Sequence, residues 1–168
     1  MKAAGFTLLG IEDSIALMRG DFAEYKSCTI GVQTLKPRNL VYEITVIFSR
    51  QEAWSRLEGH YIKIKEMLTT KYGSLDKSHE EFVNTSAYID RDDNKMSELK
   101  EGKCEYYSVF RLKSGRITLE QRDTGYPYRV HIQLWYTDKA NESVIEADAM
   151  NDLWLYLHCK FDIKYRKM

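Results

Sequence analysis

The chain has 168 residues and a mass of 19.8 kDa; 43% of the residues are hydrophobic, 12% aromatic and 30% charged, and only two are proline. This composition is typical of one compact domain spanning residues 1–168 and excludes a disordered chain. Twenty-five basic residues balance 25 acidic ones, so a net charge of +0 provides no overall attraction to nucleic acid or to an anionic membrane.

The ends and the cysteines exclude several further classes of protein. No run approaches the ~20 apolar residues of a membrane span, and the first residues lack the order of a signal peptide, so we expect a soluble chain. The three cysteines, Cys28, Cys104 and Cys159, are too few and too far apart for a disulfide scaffold or a CxxC zinc site. We predict that they are small buried side chains, with a disulfide between two of them left open for an oxidising compartment.

The first 48 residues predict strands separated by a connector. The predicted strands are residues 6–9, 21–25, 27–34 and 40–48, and the connector ends in Ala16–Gly20. In the last of these strands, Tyr42, Ile44, Val46 and Phe48 recur with a period of two and therefore share one face.

An amphipathic helix is predicted from Ser49 to Gly73. Its apolar residues recur at spacings of three and four and form one stripe, which consists of Trp54, Leu57, Tyr61, Ile64 and Leu68. Ser49 and Glu52 have the spacing of a capping box, and Gly73 suits the end of the helix. At ~1.5 Å per residue the helix would be about 35 Å long and would cross one face of a small sheet.

The period changes from 3.6 to two after the helix. Strands are predicted at residues 80–89, 103–112, 116–121 and 128–136, with a charged loop at 90–101 and turns at 113–115 and 123–125. The fold class that follows is α+β, with an antiparallel sheet and a long amphipathic helix on one face.

The two halves of the chain, about residues 1–48 and 49–138, show the same order of elements. Each has a strand, a connector with a leucine three residues before a glycine (Leu17–Gly20 and Leu99–Gly102), and three strands. We therefore predict a tandem repeat of helix plus four-strand units in which the first helix is missing. Residues 1–5 resemble the last turn of that helix, which predicts that the reading frame begins at an internal methionine. The uncovered half would then expose an apolar patch and favour self-association.

The C-terminal extension, residues 139–168, has two predicted elements. Residues 141–150 favour a short helix. From Leu153 to Tyr165, apolar residues alternate with polar and aromatic ones, which favours a strand that could cover the first half of the sheet. A helix is the competing interpretation because Leu153, Leu157 and Phe161 also lie four residues apart.

Three groups of residues resemble an uncharacterised family of small proteins from gut bacteria of the Bacteroides group. They are the helix stripe with its ending Lys71-Tyr72-Gly73, the segment Gly102-Lys103-Cys104-x-Tyr106, and the segment from Trp135 to Asn141, with Gly20-Asp21-Phe22-Ala23 and Cys28 matching as well. The resemblance covers about residues 1–141 and implies no assigned activity. Members often carry an export signal, which implies an exported or periplasmic protein if the start is an internal methionine. In outline, the tandem of helix and meander is also similar to small bacterial inhibitor and envelope-lipoprotein folds, an analogy at the level of the fold alone.

Residues 90–101 place oxygen ligands at positions 1, 3, 5, 9 and 12 of a calcium loop. However, Lys95 stands where a glycine should turn the loop and Ser97 where an apolar residue should anchor it, so a solvated connector explains the same residues better.

None of the four histidines pairs with another at ligand spacing, and Ser108 and Cys104 lack the sequence context of a nucleophile. We predict no metal, no cofactor and no catalytic residues.

The remaining indication of function is a group of aromatic and basic residues: Tyr107, Arg129, His131 and Trp135. They are predicted to lie on the sheet face away from the helix, and residues of these types are enriched where proteins bind one another. Pairing that only stabilises the sheet is the simpler interpretation. We expect a non-catalytic module that binds a protein or associates with itself, without nucleic acid. The alternatives are a small-ligand-binding domain with a pocket between helix and sheet, and a truncated product that dimerises to hide its apolar face.

Overall fold

The computed structural model describes residues 5–35, 40–83, 89–125 and 129–140. The elements in this part of the chain are two helices and eight strands. The strands are β1 (Thr7–Glu12), β2 (Ile15–Phe22), β3 (Tyr25–Leu35), β4 (Leu40–Ile47), β5 (Lys77–Phe82), β6 (Cys104–Arg111), β7 (Gly115–Asp123) and β8 (Val130–Asp138), and the helices are α1 (Trp54–Tyr72) and α2 (Asp92–Lys100).

All eight strands form one antiparallel sheet in the order β1-β2-β3-β4-β8-β7-β6-β5. The predicted α+β class with an antiparallel sheet is therefore confirmed. The two halves of the chain meet at the centre, where β4 pairs with β8 and Val46 lies opposite Leu134. The outer strands are β1 at one side and β5 at the other.

The face of the sheet on which α1 packs, called here the helix side, carries the core. The predicted stripe of α1 is confirmed, because its five members are the buried residues of that helix. They join a cluster with apolar side chains of the sheet, among them Ile30, Val46, Leu119 and Leu134. A stripe with helical spacing can be buried in this way because residues three and four apart lie on the same side of a helix.

The start of α1 was predicted wrongly. The helix has 19 residues and begins at Trp54, after Ala53 at the N-cap, with no side-chain capping bond. Residues 48–51 remain extended because the backbone amides of Phe48 and Gln51 donate to carbonyl oxygens of Ile132 and Val130, both at 3.0 Å. The predicted end is confirmed, since the Gly73 amide donates to the Thr69 carbonyl oxygen at 2.9 Å and Gly73 has φ 91°.

The predicted charged loop at residues 90–101 is a helix, α2, from Asp92 to Lys100. Asp92 and Asp93 lie in its first turn and Lys100 in its last, which suits the helix dipole, and Met96 and Leu99 are buried against the core. Asp92 also accepts hydrogen bonds from the amide and hydroxyl of Ser55 on α1, at 3.2 and 2.7 Å. A helical backbone does not wrap around an ion, so the calcium-loop interpretation is wrong.

The two halves each contribute four neighbouring strands, but their first connections differ. A tight turn at Asp13 and Ser14, both with positive φ, joins β1 to β2, whereas α2 lies between β5 and β6. The predicted connector ending at Gly20 is therefore part of strand β2, and the predicted strand at residues 21–25 contains the turn between β2 and β3. The finer claim of a duplicated unit stays a prediction.

The first half does not expose its helix-side residues as expected. Met18, Cys28, Ile30 and Val32 are buried, with Phe6, Phe22 and Tyr25 packed against the same core. Phe6 fits closely, since a Cβ on Gly20 would lie 2.1 Å from its ring. The exposed large apolar side chains of the first half are instead Leu8, Leu9 and Ile11 on the outer strand β1 and Leu40 and Val41 at the start of β4.

Several predictions fall on residues outside the described ranges. These are the short helix at 141–150, the alternating segment from Leu153 onward, and the third cysteine, Cys159. In the ranges that are described, neither helix is long and apolar enough to cross a membrane.

Gln121 is an exception to the apolar core. It is 4% exposed on β7, next to Ile132, and neither atom of its side-chain amide has a hydrogen-bond partner in the described structure. Because an unpaired buried amide is unfavourable, we expect Gln121→Leu to raise the free energy of unfolding by about 1–2 kcal/mol. Urea denaturation followed by circular dichroism measures this.

The control is Gln51→Leu. The side-chain amide of Gln51 donates to the Ser49 carbonyl oxygen at 3.0 Å, and the residue lies outside the core. That substitution is expected to bring no gain. A loss of stability in Gln121→Leu would show that the amide has a partner in the folded protein.

Candidate functional site

The face of the sheet opposite the helix side, called here the outer face, carries two aromatic side chains on its second half. Strand alternation places Tyr107 of β6 and Trp135 of β8 on this face. On the intervening strand β7, Tyr107 lies opposite Glu120 and Trp135 opposite Thr118, so two strand spacings of ~4.8 Å and an offset of two residues at ~3.3 Å each place their backbones about 12 Å apart. Both side chains are half-buried, which leaves part of each ring available for contact.

Tyr107 is held between two neighbours on the outer strand β5. The imidazole ring of His79 stacks on it, with centroids 5.8 Å apart and planes inclined by 27°, and the ammonium of Lys77 lies 5.2 Å from the ring centroid. His79 is in turn oriented by two carboxylates, because its Nε2 lies 2.8 Å from Glu81 and 3.3 Å from Glu105. The orientation of the Tyr107 ring is therefore fixed by its neighbours on β5.

Trp135 has a corresponding support from β7. The guanidinium of Arg122 lies 5.7 Å from the indole centroid, and its Nε lies 2.8 Å from a carboxylate oxygen of Glu120. Burial raises the pKa of Glu120, and the neighbouring Arg122 opposes that shift. Glu120 lies opposite Tyr107 in the β6–β7 register, so an ion pair lies between the two aromatic side chains.

The other two predicted residues are not presented in the same way. His131 is 0% exposed, and its Nδ1 donates to the Arg129 carbonyl oxygen at 2.6 Å, with the Gln133 amide 3.5 Å from Nε2. Burial lowers the pKa of His131, so its ring is neutral near pH 7. Arg129 is exposed just before β8 with φ 49°, and its amide donates to Gly125. The structure thus places Tyr107 and Trp135 on the same face of the sheet. His131 is buried, and Arg129 lies just before the start of β8.

The supporting residues were not predicted from the sequence; they are Lys77, His79, Glu120 and Arg122. The alternation of β7 could have indicated Glu120 and Arg122, because residues two apart in a strand lie on the same face of the sheet. Lys77 and His79 lie before the predicted strand at 80–89, which begins three residues after the observed start of β5. Their pairing with Tyr107 follows from strand register, which single-sequence periodicity does not specify.

A second polar group lies on the helix side, between α1 and the edge of the sheet. The hydroxyl oxygens of Tyr61 and Ser108 are 2.7 Å apart, Ser78 lies 3.3 Å from Ser108, and Lys65 pairs with Glu80. Burial by itself would raise the pKa of Glu80, but hydrogen bonds from Lys65 and Ser78 hold it below its usual value. Burial also raises the pKa of Tyr61. Ser108 is fully buried, so this group satisfies polar atoms at the β5–α1 contact and offers no open nucleophile.

The thiols of Cys28 and Cys104 are free, so these two do not form a disulfide with each other. Burial raises the pKa of Cys104 to about 12 and also raises that of Cys28, which opposes formation of a reactive thiolate. Among the residues the structure describes, no cluster of three or more His, Cys, Asp or Glu side chains is placed to hold a metal ion.

Two cavities lie beside the first half of the sheet. The larger, about 580 Å³, is on the outer face and is lined by apolar Leu9, Ile11, Leu17 and Ile47 with Arg19 and Arg50. The smaller, about 350 Å³, lies between α1 and the β2–β3 turn, where His60 and Lys63 face Tyr25 and Phe48. Burial is the main reason that the pKa of His60 is lowered, followed by the nearby charge of Lys63.

No protein-family model, no curated protein and no solved structure matches this chain. The function is therefore inferred from the geometry of the described residues alone.

Proposed function

We propose that the chain is a non-catalytic module that binds a protein or associates with itself, and that its outer face is the surface for a protein partner. The observation that carries the proposal is the pair of half-buried aromatic side chains, Tyr107 and Trp135, each oriented by a neighbouring cation. Binding energy at protein interfaces is concentrated in a few aromatic and arginine side chains of this kind. Rings held in place before binding also lose less conformational freedom when a partner arrives.

The charges of the outer face favour a protein over a nucleic acid. Arg122 is paired with Glu120, and His79 lies against Glu81 and Glu105. Nucleic acids are bound by cations that replace the counterions of phosphates, which requires basic groups free of carboxylate partners. Tyrosine, tryptophan and arginine, as in Tyr107, Trp135 and Arg122, are instead enriched at protein interfaces.

In the test, the wild-type protein and the variants Trp135→Ala and Tyr107→Ala are each immobilised and exposed to the same cell extract. We expect at least one protein to be retained by the wild type and lost with both variants, because each substitution removes one of two anchors, worth about 2 kcal/mol or more. The purified protein would then bind the wild type in calorimetric titration and bind each variant at least about tenfold more weakly.

The matched control is Tyr72→Ala, an exposed tyrosine at the end of α1 that lies beneath Lys71 in a similar contact. It should retain the same protein as the wild type. A protein partner that both outer-face variants retain as well as the wild type does would contradict the proposed role of the outer face.

A small-ligand-binding domain is the second candidate function, and the 350 Å³ cavity favours it. This cavity lies between α1 and the sheet and brings His60 and Lys63 near Tyr25, as a ligand pocket with convergent polar groups would. A crystal structure with a small molecule in this cavity would favour this function over the first.

The tandem origin of the two halves also belongs to this proposal. In the predicted repeat, the strand at residues 40–48 corresponds to the strand at residues 128–136. Tyr42 is then equivalent to Val130, and Val46 to Leu134. In the sheet Val46 lies directly opposite Leu134, as an approximate two-fold relation between the halves would require. The strand order, with β4 and β8 adjacent and β1 and β5 outermost, is consistent with the same relation.

Membership of the Bacteroides-group family is likewise proposed, supported by the burial of the shared helix stripe and the cap at Gly73.

A further inference from the structure

The outer strand β1 has an unusual surface for the edge of a sheet. All six of its residues are exposed, and the exposed fractions of Leu8, Leu9 and Ile11 are 55%, 52% and 71%. Within the described residues β1 pairs only with β2, and no strand is described along the other side of residues 7–11. Such an apolar edge is a template for another strand, and proteins normally protect it with charge, proline, bulges or cover; β1 has a bulge at Leu9 but no charge among residues 7–11.

The opposite edge of the same sheet shows that protection. Strand β5 carries Lys77, His79, Glu80 and Glu81 within six residues. A strand added along β5 would place its side chains against these charges. In β1 the residues Thr7 to Ile11 carry no charge, and only the last, Glu12, does. The two edges therefore differ in what they can accept.

We propose that β1 pairs with β1 of a second copy of this chain, in antiparallel orientation about a two-fold axis. This inference rests on the self-association included in the proposed function and identifies the segment that carries it. Around such an axis the apolar residues 8–11 of one copy meet residues 11–8 of the other. Pairing of β1 with β5 of another copy would instead oppose apolar to charged side chains and would continue without closure, whereas the two-fold pairing closes at two.

The local structure of β1 affects the added strand in two ways. The β1–β2 register shifts between Leu8 and Gly10, so Leu9 is the extra residue of a bulge, which interrupts the regular ladder and weakens the added pairing. A Cβ placed on Gly10 would meet nothing within 4 Å. The 580 Å³ cavity begins at this strand, with Leu9 and Ile11 in its lining, and its apolar part offers space for side chains of the second copy.

The pairing is expected to be weak. A stable dimer buries about 800 Å² on each partner, and one six-residue strand provides less than that. The dimer should therefore be populated at high protein concentration and dissociate on dilution.

The experiment is sedimentation equilibrium of the full chain over about a hundredfold range of concentration. We expect a reversible monomer–dimer equilibrium whose dissociation constant rises at least about tenfold in Leu9→Lys and in Ile11→Lys, because edge lysines oppose strand addition. Ile62→Lys is the matched control: it makes the same change at an exposed apolar residue on α1 and should leave the constant unchanged. Thermal unfolding checks that all three variants are folded.

Amide hydrogen exchange of the wild-type protein provides a measurement without substitutions. Protection of residues 7–12 should increase with concentration, while that of residues 77–82 should not.

A monomer at every concentration would overturn the inference, as would protection of residues 7–12 that is independent of concentration, which would assign the edge to another segment of the same chain. A dimer that survives both lysine variants but is lost in Trp135→Ala would overturn it too, while leaving the proposed role of the outer face intact.

Discussion

Trp54→Ala is expected to lower the free energy of unfolding by about 3–5 kcal/mol, which is a large part of the total stability of a domain of this size. Trp54 is 1% exposed, and its ring lies 4.8 Å from that of Phe82 and 5.1 Å from that of Tyr106, centroid to centroid. The ammonium of Lys95 on α2 lies 5.9 Å from the indole centroid. One side chain therefore joins α1, α2 and two strands, and its removal leaves a cavity that none of them can close alone. Urea denaturation followed by far-ultraviolet circular dichroism measures the effect.

Ile62→Ala is the matched control on the same helix. Ile62 is exposed and lies off the buried stripe, so its truncation should change stability by less than about 0.5 kcal/mol. Equal losses in the two variants would contradict the orientation of α1 on the sheet.

Gly115→Ala is expected to lower the free energy of unfolding by about 2–3 kcal/mol. An added Cβ would lie 2.2 Å from the carbonyl oxygen of Thr137 on β8. This atom belongs to the backbone and cannot rotate away, so the contact is relieved only by separating β7 from β8 where they begin to pair. Gly115 also accepts a hydrogen bond from the Leu112 amide at 2.8 Å, which closes the turn before β7. Thermal and urea denaturation of the variant and the wild type measure the loss.

The same substitution at Gly59 should have the opposite effect. Gly59 lies in the interior of α1, and a Cβ placed there meets nothing within 4 Å. Gly59→Ala is therefore expected to raise the free energy of unfolding by about 0.5–1 kcal/mol, because alanine favours a helix more than glycine does. Destabilisation at both positions would mean that α1 is crowded at Gly59, and stabilisation at both would mean that β7 and β8 are not in contact at Gly115.

The two proposed interaction surfaces use different parts of the sheet. The proposed contact on the outer face is made by Tyr107 and Trp135 of the second half, whereas β1 lies at the far side of the first half. Strands that pair through their edges do not compete with a partner seated on a face. A protein bound at Tyr107 and Trp135 is therefore compatible with the β1 dimer, and variants of one surface should leave the other unaffected.

Local periodicity predicted most strands and the body of α1. Alternation identified β3, β4, β6, β7 and β8 to within a few residues, and the five residues of the α1 stripe are all buried. It also assigned Tyr107 and Trp135 to the same face of the sheet. Such patterns can be recognised in a sequence because buried side chains recur with the period of the helix or strand that carries them.

Local patterns failed where a distant segment competes for the same backbone. Ser49 and Glu52 have the spacing of a capping box, but residues 48–51 are held extended by the carbonyl oxygens of Ile132 and Val130. Residues 92–100 have a polar composition typical of a loop, yet they form α2 because Met96 and Leu99 reach the core and Asp92 reaches Ser55. The burial of His131 likewise depends on contacts that its own strand does not reveal.

The amino-acid sequence by itself determined the class of the fold, the face that α1 buries and the apolar character of the residues in β1, because these depend on local spacing and composition. Only the tertiary structure decided that the halves join through β4 and β8, that β1 is an edge, and that a cation supports each aromatic ring of the outer face. Strand order and register are set by which distant surfaces pack best together, and the free energy of that choice is distributed over the whole sheet and is not encoded in any one segment.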